Sequence, residues 1–179
     1  MDTTTGTGTG TTALTGKGSS GGEAGAAPRS VRAAAVVAAG GLAAIAALHA
    51  VWVRSPWPLG SPAELAEVVV GTEQEALPSA AATAAVAGLL AAASGMVLAG
   101  ARPDSALGRA RLVRAGLWTV SAVLAARGLG GLVVSGLDLQ QAPARYTEMD
   151  LRLYSPLCLA LSSLTGYVAT RTRRRAHGR

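Results

Sequence analysis

The sequence predicts an all-α integral membrane protein, a bundle of four transmembrane helices with both termini in the cytoplasm. Half of its 179 residues are hydrophobic and only 15% are charged, whereas about a quarter of the residues in a soluble domain are charged. The apolar residues are gathered into four blocks bounded by charges, which is the pattern of membrane spans. Basic residues flank alternate ends of these blocks, and this distribution predicts the orientation.

The four blocks predict spans at residues 33–53, 80–101, 115–137 and 155–170, within a membrane domain of residues 31–172. Each of the first three covers roughly 30 Å at 1.5 Å per residue, the thickness of a hydrocarbon core. The fourth is short. We expect it to begin at Pro156 with Ser155 as its cap, because proline suits the first helical position. Residues 150–154 would then enter the membrane as non-helical chain, which requires surrounding protein or a watery cavity.

Polar, flexible segments are predicted at both ends. Residues 1–30 are mostly Thr, Gly, Ser and Ala, which predicts a disordered cytoplasmic tail. The long apolar block that follows them favours a retained helix over a cleaved signal peptide. Residues 173–179 form a basic cytoplasmic tail, and the bias toward Ala, Gly and Arg indicates a bacterial source.

The positive-inside rule assigns the two faces. Twelve basic residues fall on the side of the termini and three on the other: Lys17, Arg29, Arg32, Arg102, Arg109, Arg111, Arg114, Arg171, Arg173, Arg174, Arg175 and Arg179 against Arg54, Arg145 and Arg152. The first set predicts a cytoplasmic side and a plasma-membrane protein. The run 171–175 is interpreted either as a site for anionic lipid or as a plain stop-transfer anchor.

The first external loop carries a helix-start pattern. Ser61, Pro62 and Glu64 stand at the cap, first and third helical positions. Leu65 and Val68 then share one face, which predicts a short helix on the outer surface serving as a scaffold.

Small residues recur in the spans at spacings of three and four: Gly40, Gly41, Ala44, Gly88, Ala92, Gly95, Ala99, Gly128, Gly131 and Ser135. They predict close helix packing within the bundle or a homo-oligomer face, and the pattern does not distinguish the two.

A polar cluster is predicted near the outer face, with these members: His49, Trp52, Arg127, Asp150, Tyr154, Ser155 and Cys158. Arg127 lies roughly 18 Å above the inner boundary. An arginine at that depth costs at least about 2.5 kcal/mol, so it should face protein. We expect it to be held by Tyr154 and main-chain carbonyls near Pro156 rather than by a direct pair with Asp150. The cluster is either a structural contact between the third and fourth helices or a site for a small anion or lipid headgroup.

Several of these residues resemble a known family. His49 and Trp52, Arg127 followed by Gly130, and residues 150–158 resemble small bacterial four-helix membrane proteins grouped as domain of unknown function 3995, over roughly residues 31–172. Gly128 and Val53 depart from that family's pattern, which has alanine after the arginine of the third helix and a glycine soon after the tryptophan of the first. The resemblance implies the fold and topology and leaves the activity open.

Other chemistries find little support in the sequence. A single cysteine, Cys158, excludes an intrachain disulfide and a thiolate zinc cage. His177 lies in the tail across the membrane from His49, which argues against a bis-histidine haem. We expect no metal site, cofactor or nucleic-acid partner, and no catalytic residue is assigned. Two function classes remain: a non-enzymatic structural or accessory membrane component, or a binder, carrier or enzyme acting on a small anion or lipid headgroup at Arg127.

Overall fold

The described part of the chain is helical and contains no β-strand. The structure, a computed structural model, describes Met1 and residues 27–73, 76–102 and 111–176, with side chains as far as Arg171. In chain order the elements are α1 (Arg29–Trp52), α2 (Pro62–Leu65), a first π-helical turn (Ala66–Val70), α3 (Ala80–Gly100), α4 (Arg111–Gly136), α5 (Ala144–Met149), a second π-helical turn (Asp150–Tyr154) and α6 (Ser155–Ala176).

Three helices are long and apolar enough to cross a membrane: α1, α3 and α4. The prediction of an all-helical protein is therefore confirmed for the described residues, and these three helices are compatible with membrane spans. The helix at the fourth predicted span, α6, has 22 residues but is not among the three. It carries Ser162, Ser163 and Thr165 in its middle, which lower its apolar character.

The prediction that the last helix begins at Pro156 is wrong. Ser155 has α-helical backbone angles, and its N–H donates to the carbonyl of Asp150 five residues earlier. The chain therefore runs without a break from α5 through the second π-helical turn into α6. Proline lacks an N–H, and in a regular α-helix its ring would clash with the carbonyl four residues back. The wider π-helical turn ahead of Pro156 relieves that conflict.

The predicted boundaries also shift at the chain's first helix and at α4. These begin at Arg29 and Arg111, four residues before the predicted starts. The last two residues of the predicted tail 1–30 thus belong to α1, while residues 2–26 lie outside the described part of the chain. The side chains of the basic tail 173–179 also lie outside it.

The long helices pack as a bundle in which α1 lies along α3 and α6, and α4 lies along α6. Its buried core contains Val31, Ala35, Ala38, Leu42, Val97, Leu117, Leu161 and Val168. Buried serines join the helices. Ser94 Oγ donates to the carbonyl of Ala39 at 2.8 Å, and the hydroxyls of Ser121 and Ser162 each donate to the other's carbonyl at 3.0 and 2.8 Å.

Small residues serve close packing at some of the predicted positions. A Cβ added to Gly41 would lie 2.8 Å from the Leu161 side chain, and one added to Gly128 would lie 2.9 Å from the Ser155 carbonyl oxygen. Gly40, Gly88 and Gly95 have no such neighbour within 4 Å. Close packing within the bundle therefore accounts for the first two positions, and a homo-oligomer face remains a prediction.

The two ends of the bundle differ in charge. Ser30 Oγ lies 3.2 Å from Tyr167 Oη, so the start of α1 meets the end of α6. Leu117 packs against Gly100, so the start of α4 meets the end of α3. These contacts gather six described arginines at what we call the basic end: Arg29, Arg32, Arg102, Arg111, Arg114 and Arg171. The opposite, acidic end holds Glu64, Glu67, Glu73, Asp138, Glu148 and Asp150 together with Arg54, Arg145 and Arg152.

The acidic end is built from α2, α5 and the two π-helical turns. The helix start at Ser61 is confirmed, because Ser61 Oγ accepts from the N–H of Glu64 at 3.1 Å. The Glu64 carboxylate accepts in turn from the N–H of Gly60 at 2.8 Å. The first π-helical turn ends at Gly71, whose φ of 77° is left-handed and favours glycine. Leu65 and Val68 are buried, and the first π-helical turn packs against α5.

Candidate functional site

An ion pair between α4 and the second π-helical turn lies at the acidic end. Arg127 Nη2 donates to Asp150 Oδ1 at 2.8 Å, and Ser135 Oγ donates to Asp150 Oδ2 at 2.8 Å. Arg127 and Ser135 are eight residues apart and so lie on similar faces of α4. Both carboxylate oxygens of Asp150 are therefore bonded to one helix.

Tyr146 completes this group. Arg127 Nη2 also donates to Tyr146 Oη at 3.3 Å, and Tyr146 precedes Asp150 by one helical turn. The Tyr146 ring lies over Gly71, where an added Cβ would be 2.8 Å from ring carbons. We call Arg127, Ser135, Tyr146 and Asp150 the Arg127 cluster.

The prediction that Tyr154 and main-chain carbonyls hold Arg127 in place of Asp150 is wrong. Tyr154 Oη donates to the carbonyl of Val68 at 3.1 Å instead, which joins the two π-helical turns. The error follows from the mistaken helix start, because a helix beginning at Pro156 would have left Asp150 in non-helical chain at the outer mouth of the bundle. In the continuous helix Asp150 lies inside, with a side chain that is 0% exposed.

Glycine at position 131 of α4 leaves room for the side chains of Arg127 and Asp150. A Cβ there would lie 2.7 Å from Asp150 Oδ2 and 2.5 Å from Arg127 Nη1, both too close for a real side chain. Ser155 Oγ also approaches this point and is buried without a hydrogen-bond partner among the described residues. The predicted member Ser155 is therefore beside the cluster without being bonded to it.

His49 and Trp52 form a separate pair at the end of α1. Their rings lie 5.0 Å apart, His49 Nδ1 is hydrogen-bonded to the carbonyl of Ile45 at 2.9 Å, and Trp52 Nε1 donates to the carbonyl of Trp57 at 3.0 Å. None of these described contacts reaches Arg127. Cys158 is half-buried and free, two residues past Pro156 on α6.

The two charged residues of the cluster differ in exposure. The side chain of Arg127 is 41% exposed, whereas that of Asp150 is 0% exposed. Burying a carboxylate is unfavourable unless it is paired and hydrogen-bonded, and here Arg127 and Ser135 provide both. The surface of the cluster therefore presents a guanidinium. Among the described residues there is no group of three or more His, Cys, Asp or Glu side chains that could hold a metal.

Sequence reasoning missed Tyr146, Ser135 and Gly131 as members of the site. The signal was available in helical spacing. Tyr146 precedes Asp150 by four residues, and Gly131 and Ser135 follow Arg127 by four and eight, so each lies above or below a recognised residue on one helix face. Using that signal required knowing that residues 144–154 are helical.

Comparison with known proteins gives one family match. A family model described as "Protein of unknown function (DUF3995)" matches residues 42–165. No curated protein and no solved structure matches the chain. The matched region contains the whole Arg127 cluster, the His49 and Trp52 pair, and both π-helical turns.

Proposed function

The chain belongs to the DUF3995 family of unknown function, and on this premise we propose that it is a non-enzymatic structural or accessory protein of the bacterial plasma membrane. In this proposal it crosses the membrane four times with both termini in the cytoplasm. The Arg127 cluster is then an internal contact that fixes the last helix against α4.

Packing supports a fourth span. Leu161 and Val168 of α6 belong to the same buried core as residues of α1 and α4, two of the apolar helices. The 22 residues of α6 measure roughly 33 Å at 1.5 Å per residue. A helix of that length, enclosed between two spanning helices, lies at membrane depth with them. Four spans then return the C-terminus to the side of the N-terminus.

Charge supports the orientation. The basic end carries six described arginines and the acidic end three, with most of the acids. Basic residues near short loops favour the cytoplasmic side. The basic end is therefore assigned to the cytoplasm and the acidic end to the exterior.

The observation that carries the structural role is that Asp150 is buried with both carboxylate oxygens hydrogen-bonded. Its side chain is 0% exposed, and Arg127 and Ser135 bond both of its oxygens. A carboxylate held in this way joins the second π-helical turn to α4. A pair in apolar surroundings is often replaced by apolar residues at little cost, whereas removal of one partner strands a charge.

The test is replacement of the pair singly and together. Arg127→Leu and Asp150→Leu should each lower the thermal stability of the detergent-purified protein, and the double variant should regain most of the loss. The double variant should also retain the cellular phenotype of the wild type. The exposed pair Arg152 and Glu148 is the matched control, because removing it should change stability by about 1 kcal/mol or less. A double variant that is fully folded but has lost the phenotype would contradict a purely structural role.

A further inference from the structure

The close contacts that the described residues show between α3 and α4 lie toward the basic end. Leu89, Ala93, Met96 and Gly100 fall on one face of α3 because they are spaced by three and four residues. Met96 packs on Gly116 of α4, and Gly100 packs beside Leu117. The face that carries Leu89 is therefore the face that α3 turns toward α4.

Toward the acidic end the same faces are uncovered. No residue from 80 to 92 is buried, and Leu89 is 70% exposed. On α4, Gly116, Val120 and Arg127 share one face by their spacing of four and seven. The Arg127 side chain thus leaves α4 on the face turned toward α3, although its guanidinium bends to Asp150, and it is 41% exposed. Val123, between Val120 and Arg127, is 61% exposed. The result is a lateral opening lined by apolar side chains, with a guanidinium near its acidic end.

We propose that this opening holds one phospholipid of the outer leaflet, with its phosphate on Arg127 and its acyl chains along Leu89 and Val123. The site takes a phosphate because the partner carboxylate, Asp150, is hidden while the guanidinium is exposed. Asp150 occupies Nη2, which leaves donors on the other guanidinium nitrogens for a bound anion. Tyr146 Oη lies beside the guanidinium and provides a further donor.

The depth of the guanidinium fits a lipid headgroup. Arg127 lies nine residues before the end of α4 at Gly136, roughly 13 Å by helical rise. Its side chain reaches toward the acidic end, because its partner Asp150 is bonded to Ser135, one residue before that end. The guanidinium therefore lies closer to the level of the lipid phosphates than the Arg127 backbone does. Long basic side chains in membranes commonly extend toward the interface in this way.

This inference rests on the membrane placement proposed above, and the experiment separates the two. The full-length protein is reconstituted in nanodiscs of phosphatidylglycerol and phosphatidylcholine, and retained lipid is counted by native mass spectrometry. Failure to enter nanodiscs as a folded monomer or oligomer would count against the placement. Entry without a retained lipid would overturn the lipid site and leave the placement intact.

Leu89→Trp fills the opening from α3 without touching the ion pair and should abolish retention of one phosphatidylglycerol. Leu98→Trp is the matched control on another face of α3 and should retain it. Tyr146→Phe should weaken retention about tenfold if its hydroxyl donates to the phosphate, and Tyr154→Phe should leave it unchanged. These variants test the site without replacing Arg127 itself.

Two results would overturn the proposal. The first is equal retention by Leu89→Trp and the wild type. The second is displacement of the lipid by inorganic phosphate, which would identify a site for the free anion in place of a lipid.

Discussion

Inserting one alanine between Leu153 and Tyr154 should disconnect Asp150 from α4. The second π-helical turn already contains one residue more than an α-helical turn, so it cannot take up a further residue and keep its hydrogen bonds. Every residue before the insertion then rotates by about 100° and moves about 1.5 Å relative to α6. Deletion of Leu153 is the opposite change, because it converts the turn into α-helix and keeps Asp150 on nearly the same face. Pro156→Ala accompanies that deletion, because proline would otherwise resist an α-helical turn at that point.

The expected loss is the cost of stranding Arg127. Asp150 would leave Arg127 Nη2 and Ser135, now 2.8 Å from its two oxygens. Breaking a buried pair from one side costs about 3–5 kcal/mol, and Arg127 is only partly buried, so we expect the lower part of that range. Thermal and denaturant unfolding in detergent, followed by tryptophan fluorescence, would measure it.

The same insertion in the Arg127→Leu variant tests the cause of the loss. Arg127→Leu should recover most of the stability lost by the insertion, because Arg127 is then no longer stranded. Pro156→Ala alone should stay close to the wild type, and Pro156→Ala with Leu153 deleted should cost less than the insertion, because it keeps Asp150 beside Arg127. If the insertion costs less than about 1 kcal/mol, or if Arg127→Leu recovers none of the loss, the π-helical turn does not act by positioning Asp150.

Three further predictions concern packing at Gly131, membrane topology and the basic tail. Gly131→Ala should destabilise the protein by about 1–3 kcal/mol through overpacking, because its Cβ would lie 2.7 Å from Asp150 Oδ2. Gly130→Ala is the control: its Cβ would have no neighbour within 4 Å, so it should be neutral or slightly stabilising. Equal melting temperatures for the two variants would contradict this prediction. Reporter fusions after residues 75, 106, 145 and 179 should read outside, inside, outside and inside, and an inside signal at 75 or 145 would exclude the proposed topology. A peptide of residues 167–179 should bind vesicles of anionic lipid with an affinity that falls as salt rises, and binding that ignores salt would leave only the stop-transfer interpretation.

The sequence predicted the features that depend on composition. Apolar blocks located the helices to within four residues at their starts, and the position of Arg127 inside an apolar block marked a residue that needs a partner. The cap at Ser61 was found because it has a local three-residue pattern. These signals are strong because each is contained within one helix or one turn.

The partner of Arg127 could not be derived in the same way. A π-helical turn adds one residue to a helix and leaves no compositional mark, so Pro156 looked like a helix start. That error placed Asp150 outside the helix and directed attention to Tyr154. The pairing of Tyr154 with Val68, 86 residues apart, depends on tertiary packing, which no local pattern encodes.

The order in which the ion pair is synthesised matters for insertion of the chain. Arg127 precedes Asp150 by 23 residues, so Arg127 leaves the ribosome before its neutralising partner does. At roughly 5–20 residues per second, Arg127 waits on the order of one to five seconds without Asp150. During that time α4 carries an uncompensated charge, and a chain truncated before residue 150 would keep it permanently. The pair therefore gives the cell a chemical difference between a finished bundle and an unfinished one, which membrane proteases could use to remove the latter.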